Sequence, residues 1–173
     1  MRAGLRFAAL AGVAAVAQCL ASSSTATAAE ASQPGVDYHS FANVAEFRVR
    51  NVDLDLAVDF AARRLVGHTD LTVARLKKDA HTLVLDTRDL DIRSVSLLKS
   101  GAAATPLTYA LGEAQPFLGK PLRIEMPPVA ASADVIVRIV YQTEPQASGL
   151  QWLTPAQTAG KKHPYLFSQN ESI

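Results

Sequence analysis

An all-β fold of packed antiparallel sheets is what this sequence predicts, and three observations carry it. Val52, Leu54, Leu56, Val58 and Phe60 alternate with Asp53, Asp55, Ala57 and Asp59, the period of a half-buried strand. Short segments that are β-branched or alternating follow in quick succession, separated by Gly, Pro, Asp and Ser. No stretch has the 3.6-residue period of an amphipathic helix.

Taken in order, the first strand is predicted over Val52 to Phe60, and Arg63-Arg64 marks a hairpin connection. Leu65, Gly67, Thr69, Leu71 and Val73 continue the alternation as its antiparallel partner. Further strands are predicted at Thr82 to Asp86, Ile92 to Leu98, Leu107 to Leu111, Leu122 to Met126 and Val135 to Thr143. Between Glu144 and Pro164 the period fails, and Pro145, Ser148, Gly149, Pro155, Gly160 and Pro164 predict a long irregular connection, of a kind that often carries function. The last segment, Tyr165-Leu-Phe-Ser-Gln-Asn-Glu-Ser-Ile173, is a strand-like run that brings Gln169 and Glu171 to the end of the chain. Alternate residues of an extended strand point the same way, so this spacing sets an amide and a carboxylate side by side. Such a pair can hold an ammonium group.

The first 29 residues read as a secretory signal peptide. Arg2 and Arg6 form a positive start, Phe7 to Leu20 is apolar and uncharged, and Ala26-Thr27-Ala28 fits a small-x-small cleavage site. The expected location is therefore exported, periplasmic or secreted; the rival is a lipoprotein anchored through Cys19, which the bulk of Gln18 disfavours. The apolar stretch is too short to span a bilayer, and no later one is long enough, so no integral membrane segment is expected beyond the signal. Residues 30–45, with Pro34 and Gly35 and no period, are expected to form a flexible lead-in to a single β domain over 46–173. Cys19 is the one cysteine of the 173 residues and lies in the signal, so the core must hold by packing without an internal disulfide. Arg2 and Arg6 are also the only charges before Glu30, which leaves the remainder close to neutral and without a basic cluster. Nucleic acid is thereby excluded as an expected partner.

Other groupings have ordinary explanations. Asp53, Asp55 and Asp59 share a strand face but no calcium-type loop surrounds them, so they read as a solvated surface. His39, His68, His81 and His163 lack the spacing of zinc ligands, and no metal site is expected from them. Ser96-Leu-Leu-Lys99 matches a nucleophilic-serine signature but falls on a predicted strand without its companion motifs. Asn170-Glu171-Ser172 fits a glycosylation acceptor, read as coincidence because a glycan there would smother the proposed ligand face. Trp152 is expected to anchor the long connection on the core.

Five blocks carry a resemblance: Leu54–Phe60, Leu83–Ile92, Tyr109–Glu113, Leu150-Gln-Trp-Leu-Thr-Pro155 and His163-Pro-Tyr-Leu-Phe-Ser-Gln169. In order and approximate spacing, over residues 47–173, they resemble the amino-terminal domain of the zinc aminopeptidases related to aminopeptidase N, above all the leukotriene-A(4) hydrolase branch. The resemblance implies a saddle-like β-sandwich arrangement and a following catalytic domain with a His-Glu-x-x-His zinc helix. That motif is absent, so this chain alone is expected to be inactive, with zinc bound by the catalytic domain. The resemblance further implies that Gln169 and Glu171 occupy a Gln-x-Glu segment lent to the active site. The implied activity is removal of amino-terminal residues from peptides recognised by their free amine, the implied partners being that substrate and the downstream domain. Two alternatives stand beside it: an epoxide hydrolase of the leukotriene type, which carries Gln-x-Gln and which Glu171 disfavours, and a stand-alone secreted binding module.

Overall fold

The computed structural model describes residues 37–99, 101–128 and 134–169. The signal peptide, the first part of the lead-in and Glu171 lie outside these residues.

Among the described residues ten strands run in chain order: β1 (Phe47–Asp59), β2 (Arg64–Arg75), β3 (Thr82–Thr87), β4 (Leu90–Leu98), β5 (Thr105–Pro106), β6 (Tyr109–Leu111), β7 (Lys120–Glu125), β8 (Val135–Thr143), β9 (Leu150–Leu153) and β10 (Tyr165–Ser168). They form a five-stranded sheet in the order β1-β2-β8-β4-β5, a three-stranded sheet β3-β7-β6 and a two-stranded sheet β9-β10. Every pairing is antiparallel. The all-β prediction therefore holds, and helical structure among the described residues is confined to 3₁₀ turns at Pro155–Gln157 and Ala159–Lys161.

Alternation decides which residues meet in the core. Val73, Leu71, Val137, Ile139, Val95 and Leu97 of the large sheet pack against Leu83, Leu122, Ile124 and Met126 of the three-stranded sheet. Val73, Val137, Leu122 and Ile124 are completely buried. The opposite face of the large sheet carries Asp53, Asp55 and Asp59, exposed as expected, beside the apolar Val66 and Ile136 at 43% and 41% exposure. Arg138 of β8 donates to both carboxylate oxygens of Asp70 on β2, each at 2.7 Å. That fork holds the Asp70 carboxyl below its usual pKa, with the hydrogen bond from Arg138 as the main cause.

Three local departures have physical reasons. Strand β1 starts at Phe47, five residues before the predicted start, because a bulge between Val49 and Asn51 hides its early period. Its apolar face is also not half-buried: Val52, Leu54 and Val58 are 54%, 63% and 45% exposed. Strand β1 is an outer strand, and Phe47 at its start is its one residue in the buried core. Finally, the irregular connection predicted over 144–164 contains β9, a strand of only four residues between Gly149 and Pro155. The described part of the lead-in is tied down by side chains. Asn43 donates to the Thr82 carbonyl and accepts from the Val84 amide, while Asp86 accepts from Ser40 and from the Phe41 amide.

Candidate substrate-amine site

The site is built on the β9–β10 hairpin. Tyr165, Leu166, Phe167 and Ser168 pair with Leu153, Trp152, Gln151 and Leu150 respectively, and the Gln169 amide continues the ladder by donating to the Gly149 carbonyl at 3.1 Å. Period-two alternation puts Tyr165, Phe167 and Gln169 on one face of β10. All three are exposed, the aromatic rings at 57% and 46%. On the other face, Leu150 and Ser168 border a cavity of about 660 Å³ shared with Leu54, Leu56 and Tyr141. Gln169 thus stands at the end of an aromatic face turned away from the body of the fold. Glu171, the second expected site residue, lies outside the described residues.

A two-stranded sheet is marginal by itself and must be fastened. One fastening is aromatic: the Trp152 ring meets Phe60, at the end of β1, edge to face, with centroids 5.7 Å apart and planes at 86°. Trp152 therefore fastens this segment to Phe60, a residue 42% exposed and outside the buried core, and not to the core itself as the sequence suggested. Its indole N–H is buried with no hydrogen-bond partner among the described residues, so the ring and not the polar edge holds it. Aromatic pairs of this geometry contribute about 0.5–1.5 kcal/mol beyond area burial. Trp152 is the sole tryptophan, so its emission reports on the contact directly. Phe60→Ala is expected to shift that emission to longer wavelength as water reaches the indole; an unchanged spectrum would place the ring elsewhere in solution.

The second fastening went unseen in the sequence. β3 and β4 are joined by Arg88 and Asp89 alone, and Asp89 has a left-handed backbone, φ 56°. Its carbonyl accepts from the Glu144 amide at 2.8 Å and its Oδ2 from the Ser148 amide at 3.0 Å. The available signal was an Asp in a two-residue connection, where Asp tolerates this backbone.

Among the described residues no group of His, Cys, Asp and Glu is placed to hold a metal ion. The hairpin can supply an amide, a backbone of fixed position and an aromatic wall. Its chemistry is that of holding one end of a ligand.

No family model matches the chain. It is 43% identical over 134 residues to leukotriene A-4 hydrolase of Xenopus laevis, a match that covers 77% of this chain and 21% of the relative. Leucine aminopeptidase 2 of Yarrowia lipolytica is 41% identical over 143 residues, covering 81% and 21%. The chain is a homologue of these proteins. Among solved structures, yeast LTA4 hydrolase in complex with bestatin superposes with a TM-score of 0.70 at 29% identity, over 83% of this chain and 22% of that one. The resemblance to this family's amino-terminal domain, first drawn from five blocks of sequence, is thus borne out in sequence and in fold. The chain spans about a fifth of the length of the curated relatives it matches.

Proposed function

We propose that this chain is the amine-anchoring portion of an exported zinc aminopeptidase, and that Gln169 and Glu171 receive the free amino terminus of a peptide substrate. The observation that carries the reading is the placement of Gln169, at the open end of a fastened hairpin, on an exposed face. It accords with relatives named as hydrolase and aminopeptidase. An α-ammonium is a compact cation. At 4 Å and an effective dielectric near 20 a carboxylate attracts it by about 4 kcal/mol before desolvation, more than a neutral amide supplies. Glu171 is accordingly assigned the charge and Gln169 a hydrogen bond that fixes direction.

Among the described residues no group of His, Cys, Asp and Glu is placed to hold zinc, and in this reading the ion is held by polypeptide outside them. When bound, zinc would polarise the scissile carbonyl and its attacking water. Export rests on the residue pattern of positions 1–29. Hydrolysis of the leukotriene A-4 type is the second reading, favoured by the name of the Xenopus relative and disfavoured by the carboxylate of Glu171.

The deciding experiment compares turnover of aminoacyl amides with free and with acetylated amines by the full-length protein. A preference of at least tenfold for the free amine is expected. Equal turnover of the two, or turnover of an allylic epoxide alone, overturns the reading.

A further inference from the structure

We infer that Asp89 is a positioning residue for the amine site, acting on Gln169 through the backbone of residues 144–149. The inference rests on the reading of Gln169 just given, and it adds a residue that touches no substrate. Three links form the relay. Asp89 receives the Glu144 amide on its carbonyl and the Ser148 amide on its carboxylate, at 2.8 and 3.0 Å. From Glu144 onward the chain turns on itself twice, with the Ala147 amide donating to the Glu144 carbonyl at 3.1 Å and the Leu150 amide to the Ala147 carbonyl at 3.1 Å. Gly149, next to Ser148, then accepts the Gln169 amide at 3.1 Å. Both contacts of Asp89 thus fix the segment whose last carbonyl fixes Gln169.

The local chemistry supports a built device. Asp89 adopts a left-handed backbone, which L-residues other than Asn and Asp take at a cost. This conformation lets one residue offer its carbonyl and its side chain to amides four residues apart. Arg88, with its Nε 3.9 Å from the Asp89 carboxylate, flanks the same corner and donates to the Phe117 carbonyl at 2.8 Å. The corner therefore joins β3, β4, the 115–119 turn and the start of the hairpin. Small changes in substrate geometry have large kinetic effects, so a residue that sets the open end of the hairpin is felt in binding although it lies outside the contact.

Two variants separate the side chain from the backbone. Asp89→Gly keeps the left-handed conformation accessible and removes the acceptor for Ser148; Asp89→Asn keeps both. In the full-length protein Asp89→Gly is expected to raise KM for free-amine substrates about three- to tenfold, with kcat altered less than twofold and acetylated substrates unaffected. Asp89→Asn is expected to restore KM to within twofold. A second measurement needs no turnover: amide hydrogen exchange at Gln169 and Ser148 should quicken about tenfold in Asp89→Gly and return in Asp89→Asn. Unchanged exchange at Gln169 in Asp89→Gly overturns the relay itself. Quickened exchange with unchanged KM overturns its role at the amine site. Loss of free-amine preference is checked in the same assay with Gln169→Ala. If that variant is silent the reading of Gln169 fails, and the exchange data still decide whether Asp89 holds it.

Discussion

Glu171→Gln is expected to lower kcat/KM of the full-length protein about tenfold to over a hundredfold on free-amine substrates. The substitution keeps the shape of the side chain and removes its charge. What is lost is a charge-assisted hydrogen bond, worth about 1.5–3 kcal/mol, and each 1.4 kcal/mol is a factor of ten. Gln169→Ala removes a neutral contact of about 0.5–1.5 kcal/mol and should cost about two- to tenfold. The inequality between the two variants tests the division of labour, because a ligand held by shape alone would lose comparable amounts in both. Acetylated substrates carry no ammonium and should lose little with Glu171→Gln. If free and acetylated substrates lose the same factor, the carboxylate acts on something other than the amine.

Leu122→Ala is expected to destabilise the chain by about 2–5 kcal/mol, a large share of the roughly 5–15 kcal/mol that holds a typical domain together. Leu122 of β7 is completely buried where the two larger sheets meet, and truncation removes its contacts and leaves a void. Leu54→Ala makes the contrast. The same chemical change at a residue 63% exposed should cost about 0.5 kcal/mol or less. Urea denaturation measures both against one wild-type curve. Equal losses would mean that Leu54 is covered in solution or that Leu122 is not, and either outcome contradicts the described sheet packing.

These residues also mark how far sequence reasoning reached. The alternation of Val52 to Phe60 identified a strand, because a strand's period is local information. Whether its apolar face is covered depends on how far a second sheet extends, which is decided by residues dozens of positions away. The hairpin shows the same division. The exposed face that Gln169 shares with Tyr165 and Phe167 was legible because adjacent-but-one spacing within a strand fixes side-chain direction by itself. Strand β9 was hidden because Leu-Gln-Trp-Leu, between Gly149 and Pro155, is too short to show a period. Asp89 was hidden for another reason: its importance lies in amides more than fifty residues further along the chain, and nothing in the neighbourhood of Thr87-Arg-Asp-Leu names them. Trp152 fell between these cases, its anchoring role suggested by residue type and its partner Phe60 supplied by the fold.

The order of strands in the large sheet sets a timetable for making the protein. Strand β8 lies between β2 and β4, so neither can complete its pairing until Val135–Thr143 has been synthesised. Whether the chain emerges from the ribosome or from the far side of a membrane, the β1–β2 hairpin stands with its central edge open until that strand arrives. Pairings so distant in sequence are also slow to close once the chain is free. Whatever shields that open edge in the interval therefore bears on how much of the chain reaches the folded state.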